Sequence, residues 1–175
     1  GSDANSGKSK AVLSDDGKYY KLSGQKMWIS NAGFASLMIV FARIENDKNI
    51  TAFLVDVGEN GFEIGIGTKC VSYRGYHAFR LNFSDVRLGP NQILGEEGKG
   101  LELSGKWLGM GRIWVGASCC GKAERLFELA QDWASTRKQF GQPIGKFQAT
   151  GFKLADIAIE LRAADLMVND AVRRA

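Results

Sequence analysis

Near Gly98 the hydrophobic pattern of this chain changes period, and that change limits what the chain can fold into. Upstream, residues 9 to about 94 carry short runs rich in β-branched and aromatic residues, separated by turn signals. Lys10–Ser14 and Tyr19–Leu22 flank Asp15-Asp16-Gly17, which reads as a hairpin turn. Gln25–Ser30, Leu37–Ile44 and Ile50–Val55 follow as expected strands. Phe62–Gly65, Ala78–Phe83 and Val86–Leu88 are shorter candidates, with Asn60-Gly61 marking another turn. The loops between them are too short for crossover helices, so an antiparallel barrel or sandwich is expected. Downstream, Leu101, Leu108, Val115, Leu126, Leu129 and Trp133 recur at helical spacing. Leu154, Ile157, Leu161 and Val168 repeat that spacing in a second helix beginning near Phe147. The fold class is therefore α+β with segregated halves: a β-domain over residues 1–97, then two long helices of an incomplete bundle over 98–175.

The first helix contains Gly105, Gly109, Gly111, Gly116 and Gly121. Each interior glycine costs roughly 0.5–1 kcal/mol relative to alanine. Such a helix is poor by itself, so the glycines are expected to admit another backbone or a ligand. The second helix reaches Ala175 in mid-pattern and without a cap. Two amphipathic helices cannot bury their apolar faces as a full bundle does, so the chain is expected to be a piece of a longer protein.

Charge and cysteine content exclude several classes. The net charge of +4 is spread along the chain, with adjacent basic residues only at Arg137-Lys138 and Arg173-Arg174, so no nucleic-acid groove is indicated. A mild positive balance suits an acidic small ligand. No apolar run approaches a membrane span. Cys70, Cys119 and Cys120 form no disulfide framework and point to a reducing compartment. With His77 the single histidine, neither a protein zinc site nor a histidine-based nucleophile system is supported. Ser2-Asp3-Ala4-Asn5-Ser6-Gly7-Lys8-Ser9 approaches a phosphate-binding P-loop, but Ser2 stands where glycine is required and a strand follows where a helix should.

Thr136-Arg137-Lys138-Gln139-Phe140-Gly141-Gln142-Pro143-Ile144, followed by Phe147-Gln148, lies between the two helices. By itself it reads as a helix–helix connection, with Gly141 ending one helix and Pro143 blocking its continuation. Three further segments stand out: Gly1-Ser2-Asp3, Met27-Trp28-Ile29-Ser30 and Ile93-Leu94-Gly95-Glu96-Glu97-Gly98-Lys99-Gly100. In this order and spacing, the four resemble the flavin-dependent acyl-CoA dehydrogenases, and the resemblance runs from Gly1 to Ala175.

The resemblance implies FAD as cofactor, an acyl-CoA substrate, an electron-transfer flavoprotein as electron acceptor and a homotetramer. It implies a cytoplasmic or mitochondrial-matrix location. Trp28 is then expected to pack on the flavin ring, Ser30 to hydrogen-bond near N5 and Ile29 to offer backbone groups, with Gly1 and Ser2 in the same cofactor site. Arg137 is expected at the FAD pyrophosphate of a neighbouring subunit, with Gln139, Phe140, Ile144 and Gln148 around the nucleotide. Arg112, Arg74 and Tyr76 are the expected substrate contacts. Two features depart from the family pattern. Gly109 replaces an aspartate three residues before the helix arginine, and Tyr76-His77 replaces a small hydroxyl-rich loop. The family's glutamate base has no counterpart in this chain and is expected beyond Ala175; no catalytic residue is assigned within it. A flavin oxidase or monooxygenase of the same fold, or a silent flavin-binding homologue acting as an assembly protein, are the alternatives.

Overall fold

The computed structural model describes residues 3–45 and 47–175, so the expected cofactor residues Gly1 and Ser2 lie outside the described residues. Contacts divide the chain into one unit ending at Gly105 and a second of Lys106–Ala175.

In the first unit the strands are β1 (Lys10–Leu13), β2 (Tyr20–Ser30), β3 (Leu37–Ile44), β4 (Ile50–Asp56), β5 (Phe62–Ile64), β6 (Thr68–Lys69) and β7 (His77–Leu88). Among the described residues they form one open sheet in the order β4-β3-β1-β2-β7-β5, with β6 also paired to β7. Neighbours are antiparallel except β1 and β3, which meet in parallel at Lys10↔Arg43 and Ala11↔Ile44. The reason is topological: β3 reverses the direction of β2 and so runs with β1, which lies between them.

Two pairs of expected strands are single strands here. Tyr19–Leu22 and Gln25–Ser30 merge into β2, because Gly24 continues the strand at φ 136°. A side chain there would meet Ser9 Cα at 2.8 Å. Ala78–Phe83 and Val86–Leu88 merge into β7 across a bulge. At that bulge Asp85 takes φ 53°, and its backbone N–H donates to Ser23 Oγ at 3.0 Å while Ser23 Oγ–H donates to Asp85 Oδ1 at 2.7 Å. β6 was not expected at all; it is too short to carry a periodic signal.

The core lies on one sheet face, where Leu22, Val40, Phe53, Val55, Leu81, Phe83, Val86 and Leu88 are buried together. β4 sits at the end of the strand order, yet Ile50 to Phe53 are all buried. The segment before the first helix covers its free edge. Leu94 N–H donates to Ala52 O at 2.8 Å, Gln92 Nε2 to Leu54 O at 3.1 Å and Gly98 N–H to Thr51 Oγ1 at 2.8 Å. An uncovered edge would leave such groups unpaired. The glycines of this segment are needed for that approach: Gly98 has φ 71°, and a Cβ on Gly100 would meet Ile50 O at 2.8 Å.

The long helix α1 (Gly100–Thr136) is followed by β8 (Lys138–Gln139), β9 (Gln142–Pro143) and α2 (Gln148–Arg174). In the second unit a Cβ on Gly116 of α1 would lie 3.2 Å from Val168 Cγ2 of α2, so this glycine does permit close helix packing. A Cβ on Gly105, Gly109, Gly111 or Gly121 would meet nothing within 4 Å among the described residues. Trp114, Leu126, Ile159 and Met167 remain exposed on the two helices. Among the described residues, no helix is long and apolar enough to cross a membrane.

Candidate functional site

In the first unit the site is built around the end of β2. Lys26 pairs with Leu81 and Ile29 with Phe79, so Met27 and Trp28 together face the single residue Arg80. This is a β-bulge, and Trp28 adopts φ 63° within it. An aromatic residue in the left-handed region costs about 1–3 kcal/mol and persists only where its surroundings impose it. The bulge turns the indole out of the pleat, leaving Trp28 62% exposed. Ile29 returns to the core and Ser30 ends the strand opposite Ala78.

The turn after Ser30 and the loop before β7 are fastened to each other. Asn31 takes φ 66°, and its carbonyl accepts from Phe34 N–H at 3.2 Å and Ala35 N–H at 3.1 Å. A Cβ on Gly33 would lie 2.4 Å from Phe79 Cζ, and one on Gly67 2.7 Å from Phe79 Cε1, so the ring fits only because both positions are glycine. In the loop, Tyr73 has φ 53° and its carbonyl accepts from Tyr76 N–H at 2.8 Å. The two tyrosine rings lie 6.1 Å apart. The hydroxyls of Tyr76 and Ser30 share a hydrogen bond. The structure thus joins an expected substrate residue to an expected cofactor residue. Arg74 is exposed on the same loop, and among the described residues its guanidinium has no hydrogen-bond or ion-pair partner.

Ser30 and Ile29 also line a cleft of about 350 Å³ with Lys26, Leu37, Ile39 and Phe41. Burial there pulls the Lys26 ammonium below the ordinary lysine range. Lys26 and the Trp28 bulge were missed from the sequence. Nothing in the mixed polar and apolar sequence of β2 sets Lys26 apart from the exposed Lys21. The bulge had no signal either, since it is visible only as an offset against β7.

In the second unit the segment after α1 is a two-residue hairpin. Gln139 pairs with Gln142, and Phe140 and Gly141 have φ 51° and 80°. Both central residues at positive φ define a type I′ turn. Gly141 therefore does not end the helix; α1 closes earlier, where Arg137 N–H donates to Trp133 O at 2.8 Å. Arg137 O accepts from Ile144 N–H at 2.8 Å, and its guanidinium lies 5.8 Å from the centroid of the Trp133 ring, within cation–π range. Phe140 is 93% exposed at the turn, with its ring edge-on to Phe147 at 6.1 Å. Phe147 is the N-cap of α2 and Gln148 its first helical residue. Arg137, Gln139, Phe140, Ile144 and Gln148 thus share one corner. Arg112 does not belong to it, lying roughly 36 Å away along α1.

The donor set has a chemical direction. Among the described residues the side chains of Arg137, Gln139 and Gln148 have no hydrogen-bond partner. A guanidinium fork without a hydrogen-bond partner suits phosphate oxygens. An exposed indole suits a flat heteroaromatic ring.

Residues 1–86 match the family model for the acyl-CoA dehydrogenase middle domain, and residues 98–175 that for the acyl-CoA dehydrogenase C-terminal domain. A short-chain-specific acyl-CoA dehydrogenase of Megasphaera elsdenii is 38% identical over 174 residues, covering 98% of this chain and 45% of the relative. The solved structure of butyryl-CoA dehydrogenase from Megasphaera elsdenii superposes with TM-score 0.88 at 38% identity, covering 97% of this chain and 45% of that one. An acyl-CoA dehydrogenase complexed with FAD from Bacillus anthracis has TM-score 0.89 at 34% identity, covering 96% and 29%. The chain spans less than half the length of these proteins.

Proposed function

Because the chain belongs to the acyl-CoA dehydrogenase family, we propose that it supplies the flavin-holding sheet and helices of an enzyme that desaturates acyl-CoA thioesters between Cα and Cβ. The observation that carries this reading is the bulge at Trp28, which holds an aromatic residue at φ 63° and leaves its side chain 62% exposed two residues before Ser30. The residues fit FAD. Trp28 covers the ring and excludes water, Ile29 offers backbone groups, and Ser30 offers a hydroxyl at the ring edge. Arg137, Gln139, Phe140, Ile144 and Gln148 hold the nucleotide portion of a neighbouring subunit's cofactor in a homotetramer. Bound there, FAD supplies the hydride acceptor and passes electrons to an electron-transfer flavoprotein. Arg112 and Arg74 bind the acyl-CoA, while the Tyr76 hydroxyl is taken up by Ser30. No residue of this chain is assigned as the base for the α-proton.

The test is an anaerobic titration of the flavin-loaded holoenzyme with a panel of acyl-CoA thioesters. Bleaching of the oxidised flavin band by one of them is expected. A flavin that none bleaches, but that consumes oxygen when reduced, favours an oxidase of the same fold. A protein that holds no flavin removes the reading.

A further inference from the structure

Ser30 has one hydroxyl proton and two oxygen lone pairs. Its hydroxyl meets that of Tyr76, a residue placed here because β7 begins at His77 and pairs Ala78 with Ser30. Three features hold the phenol in place. The Tyr76 N–H bond to Tyr73 O sets the loop, the Tyr73 ring packs beside it, and Phe79 is clamped between Gly33 and Gly67. Gly33 belongs to the turn leaving Ser30 and Gly67 to the segment leading towards Tyr76, so one ring locks both sides of the contact.

We propose that Tyr76 is a positioning residue for Ser30: its phenol donates to Ser30 Oγ and leaves the serine proton for the ring bound at Trp28–Ser30. The inference rests on the flavin reading of that site. A hydroxyl that accepts one hydrogen bond is polarised into a better donor of its own proton, so the pair acts as a short relay with a fixed direction. Without the phenol, Ser30 rotates among its staggered positions and its proton is no longer committed to the ring.

The test is Tyr76→Phe in the holoenzyme, which keeps the ring and removes the hydroxyl, read alone and in a Ser30→Ala background. The variant is expected to shift the flavin absorption band and midpoint potential, and to lower kcat about tenfold while KM changes by less than about twofold. In the Ser30→Ala background, Tyr76→Phe is expected to add no further change. Three results overturn the proposal: a parental spectrum and potential, an equal effect without Ser30, or a rise in KM with the spectrum unchanged. A parent enzyme bleached by a thioester whose Tyr76→Phe variant keeps its spectrum overturns this inference alone. A parent without flavin overturns it together with the reading beneath it.

Discussion

The phenol of Tyr20 donates to Glu97 Oε1, tying the first residue of β2 to the segment that covers the edge of β4. The contact joins the buried sheet core to the residues that lead into α1. Burial, then the neighbouring Glu97 carboxylate, raises the Tyr20 hydroxyl from 10.0 to about 12.

This makes a pH-dependent prediction. A raised folded-state value means that Tyr20 keeps its proton in the folded chain after the unfolded chain has lost it. Its contribution is complete below pH 10 and is lost as pH rises towards about 12. Denaturation midpoints measured across that window are expected to fall. In Tyr20→Phe the fall attributable to this group disappears, and stability at neutral pH is lower by about 1 kcal/mol for the lost hydrogen bond.

Lys26 gives the opposite slope. Its lowered folded-state value means the unfolded chain binds more protons between that value and 10.5, so stability rises with pH through that window. Lys26→Met keeps the stem and removes the partly buried charge. Urea titrations are expected to show a more stable variant at neutral pH and a flatter rise towards alkaline pH.

Gly33 and Gly67 share Phe79, so a side chain at Gly33 has no direction in which to push the ring. A Cβ there would lie 2.4 Å from Phe79 Cζ, while Gly75, whose Cβ would meet nothing within 4 Å, serves as the control. Thermal denaturation is expected to show Gly33→Ala destabilised by about 1–3 kcal/mol. Gly75→Ala is expected to stay within about 0.5 kcal/mol of the parent.

Phe140 occupies the first central position of a type I′ turn, where asparagine is preferred. Phe140→Asn is expected to raise the stability of the cofactor-free protein by about 1 kcal/mol, because asparagine enters the left-handed region more readily. The same variant is expected to hold FAD more weakly, measured as a higher dissociation constant. Tighter FAD binding by the variant would exclude Phe140 from the nucleotide pocket.

Much of the architecture was legible in the sequence because periodicity is a local property. The change near Gly98, the runs at Leu37–Ile44 and Ile50–Val55, and the helix beginning around Phe147 are each written in the spacing of neighbouring side chains. The four motif segments were legible as a resemblance, and family membership rests on matches across both halves.

Other features depended on pairing partners distant in the chain. Nothing near Trp28 announces a bulge; it exists because β2 carries two residues where β7 carries one. The Ser30–Tyr76 bond spans 46 residues and follows from the register that sets Ser30 against Ala78. Gly141 resembled a helix end until pairing of Gln139 with Gln142 made it half of a turn. By itself, the sequence determined where the longer strands and the two helices form, because that choice depends on side-chain spacing and backbone preference. Only the tertiary structure decided which side chains leave the pleat and meet, because register and bulges are set by contacts between segments that the linear order keeps apart.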